Sequence, residues 1–234
     1  MKTVLIAEDE KSIRDFIVIN LKRSGYDVLE AENGKQAADL FDKNNDNIDV
    51  VVLDIMMPEM DGMAVCKHIR EKNAGVGIIL LTAKAQEIDK ISGLMSGADD
   101  YVTKPFSPSE LMARVDALYR RVSLLKEREA QKADDKIISL GDFSLHTQER
   151  LLFKNGKPIE LTQIEYQILE YLFRNPNTVL ERASILNKVW GHDYFVDDKV
   201  IDVNMHRLRG KIEDEPAQPK HLVTIWGMGY KWIV

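Results

Sequence analysis

Cysteine is almost absent from this 234-residue chain, which contains only Cys66. A lone cysteine excludes an intramolecular disulfide framework and fits a reducing compartment, so a cytoplasmic location is expected. Cys66 itself is expected to pack as a small apolar side chain. Long apolar runs are missing too: none approaches the roughly 18 residues of a membrane span. The chain enters a strand pattern at once, without the cationic stretch and cleavage site of a secretory leader, and none is expected. There is no internal repeat and no low-complexity segment. Nor is there an excess of positive charge. The net charge is −6, with 16 basic and 21 acidic side chains in residues 1–121 and 16 and 17 in the remainder. Neither half is a bulk polycation, so any nucleic-acid contact must come from a local patch.

What is present is a change of grammar partway along the chain. Apolar runs near 3–7, 27–31, 49–53, 77–81 and 100–103 alternate with helical patterns near 11–23, 34–43, 61–72, 85–95 and 107–121. Five strand–helix units with short connections imply an α/β domain, a doubly wound parallel sheet covered on both faces. The charged stretch from Glu127 to Lys136 lacks an apolar stripe and reads as a linker. Short alternating segments follow at 137–140, 142–146, 150–154 and 157–160, with Asn155-Gly156 as a hairpin turn between the last two. Helical patterns come next, near 162–174, 181–190 and 197–213, and Thr162 with Glu165 has capping-box spacing. A final hairpin, 221–225 and 229–233, surrounds Gly227-Met-Gly229. The expected division is a domain at 1–121, a linker at 122–136 and an α+β domain at 137–234.

Four strands of the first domain end on reactive side chains. The run Asp49-Val-Val-Val-Leu-Asp54 delivers a carboxylate, and Glu8-Asp9 follows Thr3-Val-Leu-Ile-Ala7. Thr82 and Lys104 close two more strands. In parallel sheets, ligands sit beyond the carboxyl ends of the strands. Three carboxylates gathered there repel one another unless a cation lies among them, and oxygen-only ligands favour Mg²⁺. A carboxylate beside that ion can take a phosphoryl group. The ion, Lys104 and the Thr82 hydroxyl then each cover one phosphoryl oxygen. A cis bond before Pro105 would aim the lysine inward.

These residues carry a resemblance. Residues 1–121 resemble the receiver domain of two-component response regulators, a flavodoxin-like (βα)5 fold. The likeness rests on Ala7-Glu-Asp-Glu10, Leu53-Asp-Ile-Met-Met-Pro58, Asp61-Gly62, Leu81-Thr-Ala83, Gly97-Ala-Asp-Asp-Tyr101 and Lys104-Pro-Phe106. It implies that Asp54 accepts phosphate from a sensor histidine kinase, and that Glu8, Asp9, Asp54 and the Met56 backbone carbonyl bind Mg²⁺. It also implies a switch pair, Thr82 and Tyr101. The chain is then no enzyme beyond its own phosphoryl acceptance and slow autodephosphorylation. A phosphatase with a carboxylate nucleophile on an Asp-x-Asp strand is disfavoured, because Asp54-Ile-Met56 lacks the second acid.

Resemblance to the OmpR/PhoB subfamily adds a symmetric dimer on phosphorylation. Its face would include Lys90, Asp99, Asp100, Glu110, Arg114 and Arg121, with Lys90–Glu110 and Asp100–Arg114 paired across the two-fold axis. Asp116 stands where a basic residue is common in that subfamily.

In the helix at 198–213, Ile201, Met205, Leu208 and Ile212 form one buried stripe. At about 100° per residue, the opposite face holds Lys199, Val203, His206, Arg207 and Gly210. An exposed Val203 suits a thymine methyl, Arg207 a guanine and Asn204 an adenine or a phosphate, while Arg209 and Lys211 suit phosphates. Residues 137–234 resemble the winged-helix output domain of the same subfamily. The matching pieces are Leu161-Thr162 with Glu165 and Leu169, Val189-Trp190, Val200-Ile-Asp-Val203, Arg207-Leu-Arg209 and Gly227-Met-Gly-Tyr230. That resemblance implies double-stranded DNA with direct repeats as partner, helix 198–213 in the major groove and hairpin 225–230 as a wing. It also implies a loop at 191–197 that touches RNA polymerase. Trp226 replaces the minor-groove arginine of some relatives.

Overall fold

The computed structural model describes residues 2–83, 97–128, 137–191 and 199–234, with the backbone alone at 124–128. The expected helix at 85–95 with Lys90, most of the 191–197 loop and much of the linker lie outside the described residues. The chain divides into two compact units, Met1–Leu125 and Lys126–Val234.

In the first unit, β1 (Thr3–Ala7), β2 (Asp27–Ala31), β3 (Val50–Asp54), β4 (Gly77–Thr82) and β5 (Asp100–Thr103) form a parallel sheet in the order β2-β1-β3-β4-β5. Alternation along the strands splits the core in two. Leu5, Val51, Leu53, Ile78 and Leu80 face one way and pack with Phe41, Val65, Cys66 and Ile69, which belong to α2 (Gly34–Asn44) and α3 (Gly62–Lys72). Val4, Ile6, Val50, Val52, Ile79 and Leu81 face the other way. They meet Ile17, Leu21, Leu111, Val115 and Leu118 of α1 (Lys11–Arg23) and α4 (Pro108–Arg128). A sheet buried on both faces needs nearly continuous apolar strands, which explains the runs in the sequence. Each fully buried Leu, Ile or Val contributes about 1.5–3 kcal/mol. Cys66 is wholly buried among these side chains. α4 runs seven residues past the expected helix end at 121.

Strand order reverses between β1 and β3, which opens a crevice at their carboxyl ends. Local chemistry sets the helix starts around it: Asn33 caps α2 by accepting from the Gln36 amide (2.7 Å), and Asp61 caps α3 by accepting from Ala64 (2.7 Å).

The second unit opens with an antiparallel sheet of β6 (Ile137–Leu140), β7 (Phe143–His146), β8 (Leu151–Lys154) and β9 (Lys157–Ile159). Asn155 and Gly156 turn the β8–β9 hairpin with φ of 51° and 74°, the two left-handed residues that such a turn demands. The helices are α5 (Gln163–Phe173), α6 (Arg182–Trp190) and α7 (Lys199–Ile212), and α7 packs against both others. α5 begins with the full Thr162–Glu165 capping box. A three-stranded sheet closes the unit in the order β10-β12-β11, with β10 at Leu180–Glu181, β11 at Leu222–Ile225 and β12 at Gly229–Trp232. β10 escapes a sequence reading because two residues cannot display a period. It is defined by close approach: a Cβ on Gly229 would stand 2.0 Å from the Leu180 carbonyl oxygen.

Candidate functional site

Four parallel strand ends converge on one cluster. Glu8 and Asp54 are buried, Asp9 is exposed, and one carboxylate oxygen from each lies within 4.8 Å of the others. Lys104 Nζ bridges the two buried acids, 2.7 Å from Glu8 Oε2 and 3.1 Å from Asp54 Oδ2. The Lys104 amide donates to the Thr82 carbonyl (2.7 Å) and the Ile55 amide to the Leu81 carbonyl (2.9 Å), which ties β4 to both sides of the site. Thr82 is buried at the end of β4, and Tyr101 is half-buried, packed against the α2–α3 side of the core. The Lys104–Pro105 peptide is cis.

One lysine cannot neutralise three carboxylates. Burial, and then the Asp54 charge, raise the Glu8 pKa, and Glu8 Oε1 is buried with no hydrogen-bond partner. Burial works against the charge of Lys104, but the Glu8 hydrogen bond and the Asp54 and Glu8 charges outweigh it and raise its pKa. A buried, unpartnered carboxylate oxygen in an all-oxygen donor set with surplus negative charge fits a hard divalent cation.

The loop from Ile55 to Asp61, which carries Met56, is fixed from several sides. Gly62 donates to the Ile55 carbonyl (3.0 Å), Met60 donates to Pro58 (2.8 Å), and Asn33 Nδ2 donates to Glu59 Oε1 (3.0 Å). Gly34 and Gly62 permit the closeness: a Cβ on Gly34 would lie 1.8 Å from the Met60 carbonyl oxygen, and one on Gly62 2.1 Å from that of Asp54.

The expected pairing face is largely committed within the chain. Asp99 is buried rather than displayed: it accepts from Arg70 Nη2 (2.6 Å) and from the Ile78 amide (2.8 Å). The reason is local demand, since the guanidinium and the β4 amide both need an acceptor and share Asp99 Oδ2. Asp100 and Arg114 meet inside one chain, at 3.2 Å, and Arg114 also holds Glu110 at 3.0 Å. Arg121 is buried at 7% exposure. Glu110 remains exposed, and Lys90 lies outside the described residues. Asp116 accepts the Tyr26 hydroxyl at 2.5 Å, and burial followed by this bond raises the Tyr26 pKa. The acid in place of a base therefore has an intramolecular task.

On α7 the stripe Ile201, Met205, Leu208 and Ile212 is buried as expected. Val203 is buried as well, at 5% exposure, which corrects its placement on an open face. Asn204 is wholly buried and donates to the Val200 carbonyl (2.7 Å) instead of facing outward. Arg207 is 8% exposed and paired with Glu165 Oε1 at 3.1 Å. A one-stripe wheel presumes cover from a single direction, but α7 is flanked by two helices and bonded to the terminal hairpin, so its buried arc is wider. The exposed positions are Lys199, Asp202, His206, Gly210 and Lys211. Lys211 donates to Glu165 Oε2 (2.7 Å) and to the Glu160 carbonyl (2.9 Å). Arg209 donates to the Leu222 carbonyl (2.8 Å) and to Thr224 Oγ1 (2.7 Å). Trp226 is 90% exposed at the hairpin tip.

Residues 4–116 match the family described as response regulator receiver domain, and residues 156–232 match transcriptional regulatory protein, C terminal. The sensory transduction protein RegX3 of Mycolicibacterium smegmatis is 42% identical over 231 residues, 99% of each chain. This chain belongs to the two-component response regulators of the OmpR/PhoB type. The regulator is also 32% identical to DrrB, a Thermotoga maritima OmpR/PhoB homologue, over 100% of both chains (TM-score 0.49). A mutant of RitR, 21% identical and covering 99% of each chain at a TM-score of 0.79, shares the fold. The regulator thus joins a receiver to a winged-helix DNA-binding domain, and among the described residues no helix is long and apolar enough to cross a membrane.

Three contacts of the response regulator escaped the sequence. Glu165 was legible as a cap but not as the shared partner of Arg207 and Lys211; its signal was a lone acid between Ile164 and Tyr166. Asp202 Oδ1 accepts from both Arg182 Nε (2.9 Å) and the Tyr230 hydroxyl (2.7 Å), a junction of α6, α7 and β12. Arg70, the partner of Asp99, carried no signal at all.

Proposed function

We propose that Asp54 is the phosphoryl acceptor of this response regulator, that a sensor histidine kinase is the donor, and that phosphorylation drives pairing of receivers and sequence-specific binding of promoter DNA. The observation that carries the reading is the under-neutralised cluster: Glu8, Asp9 and Asp54 around a single Lys104, with Glu8 Oε1 buried and unpartnered. Glu8, Asp9, Asp54 and the Met56 carbonyl would hold Mg²⁺, which when bound neutralises charge on the phosphoryl oxygens. An Asp54 carboxylate oxygen attacks phosphorus, the bond from phosphorus to the kinase imidazole nitrogen breaks, and that nitrogen keeps the electron pair. Lys104 leaves its carboxylates to meet the incoming phosphoryl group. The Thr82 hydroxyl donates to another oxygen, and half-buried Tyr101 follows it inward.

An apolar groove of about 530 Å³, lined by Ser12, Ile13, Phe16, Lys104, Pro105 and Phe106, lies beside Lys104 and supports kinase docking there. Receiver pairing uses Glu110 and Arg114 with Lys90; Asp100–Arg114, now intramolecular, is exchanged across the two-fold axis. Asp99 and Arg121 drop out of that face because they are buried. For DNA, the exposed Lys199 and His206 lead, with Arg209 and Lys211 on the flanks and Arg207 held by Glu165. The near-neutral second half, with 16 basic and 17 acidic side chains, supports avidity over two direct repeats, with RNA polymerase contacted through 191–197 and the whole in the cytoplasm.

The test uses the full chain with Mg²⁺ and a small phosphodonor such as phosphoramidate. Intact-mass spectrometry is expected to find one phosphoryl group on the wild type and none on Asp54→Ala. Release of many equivalents of phosphate per chain would instead make it a phosphatase and overturn the reading.

A further inference from the structure

We propose that the β11–β12 hairpin tip is an apolar wedge for the minor groove of duplex DNA, with Trp226 entering at a deformable base step. The inference rests on the reading of this chain as a duplex-DNA binder and adds how its wing chooses sequence. Of the three tryptophans, Trp190 and Trp232 are buried, whereas Trp226 is 90% exposed, with Met228 beside it at 61%. Burying such side chains is worth about 1.5–3 kcal/mol each, and the tip forgoes it.

The tip is held stiffly. Gly227 at φ 73° and the Met228 amide donating to the Ile225 carbonyl (3.0 Å) close the turn. Below it, Tyr230 donates to Asp202 of α7 (2.7 Å), and Arg209 of α7 donates to Thr224 and to the Leu222 carbonyl. The helix that would enter the major groove therefore fixes the hairpin that carries the tryptophan. Charge admits a polyanion as occupant: from Lys220 to Val234 the chain carries two lysines and a histidine but no acid. Of the acids beside the hairpin, Asp202 and Glu213 are engaged by Tyr230 and by the Lys220, His221 and Leu222 amides, while Glu181 lies in register with Gly229.

A tryptophan cannot deliver the cation that a minor-groove arginine supplies. It offers a wide apolar face and one N–H donor to the acceptor edges of the groove. Apolar side chains inserted from the minor groove unstack one base step and kink the duplex, at least cost where pyrimidine precedes purine. The wing then reads deformability, not hydrogen-bond pattern.

The experiment selects duplexes from a random pool with the full-length, phosphodonor-treated chain and locates the wing by hydroxyl-radical footprinting. Affinity and end-to-end FRET bend are then compared for sites carrying a TA step or a stiff A-tract at that place. Wild type is expected to prefer and bend the TA site, and Trp226→Ala to lose about 10-fold there while losing little on the A-tract. Trp226→Arg recovers affinity but not the step preference. Acrylamide quenching of the Trp226 emission, taken as wild type minus Trp226→Phe, is expected to fall in the complex. The wedge is overturned if Trp226→Ala keeps both affinity and bend, or if the quenching is unchanged by DNA. It is also overturned if the alanine variant instead weakens self-association without DNA, which would make the tip a protein contact. A wild type that retains no duplex would sink the DNA-binding reading itself.

Discussion

Glu8 and Glu165 are both buried glutamates with a lysine nitrogen at 2.7 Å, yet their pKa values move in opposite directions. At Glu8, burial dominates, the second acid Asp54 adds to it, and the one lysine is shared between them. At Glu165, burial is again the largest influence, but Arg207 and Lys211 together outweigh it, aided by the Thr162 amide, and the pKa falls. Surrounding charge thus separates two sites that burial alone would make alike. The cluster of Glu8 is left with surplus negative charge and an unpartnered oxygen, and is open to a cation and to chemistry. The cluster of Glu165 is closed by charge: its Oε1 also lacks a hydrogen bond but lies 3.1 Å from Arg207 Nε, and with two cations for one acid it ties the first turn of α5 to α7. A buried ion pair that is complete is structural, and one that is incomplete invites a ligand.

Four measurements break or sharpen this contrast. The largest effect is expected for Asp54→Ala, which removes phosphoryl acceptance entirely by intact-mass spectrometry; labelling elsewhere would show that the open cluster is not the reactive one. Next comes Glu165→Gln, expected to destabilise the second unit by about 3 kcal/mol in denaturant melts, because two cations lose their buried partner. A variant as stable as wild type would show that the closed cluster adds no net stability.

The third test compares pH slopes. Glu165 has a folded pKa below its unfolded value near 4.5, so its contribution is present above that pH and is lost as pH falls through the folded value. Glu8 has a folded pKa above 4.5, so without divalent cation stability declines as pH rises from about 4.5 through the raised value. Glu165→Gln should flatten the first slope. Glu8→Gln should flatten the second, leave metal-free stability equal or up to about 1 kcal/mol higher, and diminish the melting-temperature gain on adding Mg²⁺. Equal slopes at the two sites would erase the contrast.

The smallest effect is expected for Tyr26→Phe, which removes the hydroxyl from Asp116 at a site with neither surplus nor complete charge pairing. About 1 kcal/mol in the first unit's melt is expected, and receiver pairing measured by sedimentation should stay unchanged.

The five parallel strands, their order of appearance and the cluster at their ends were legible because apolar alternation and strand-end acids are local patterns. The capping box at Thr162 and the Asn155-Gly156 turn were legible for the same reason. The face of α7 was not. Val203 and Arg207 sit opposite the stripe on a helical wheel, but whether such positions meet solvent depends on neighbours from other segments. Asp99 failed likewise: its charge was visible, while the Arg70 guanidinium and Ile78 amide that turned it inward come from elsewhere in the chain.

The sequence by itself therefore determined the two domain types, the family and the chemical inventory of the site, since periodicity and residue type are written along one dimension. Only the tertiary structure decided which glutamate stays open and which is closed, which arginines are already engaged, and which tryptophan of three stands in water. Those outcomes depend on desolvation and Coulomb energy, and both are set by distances between residues far apart in the chain.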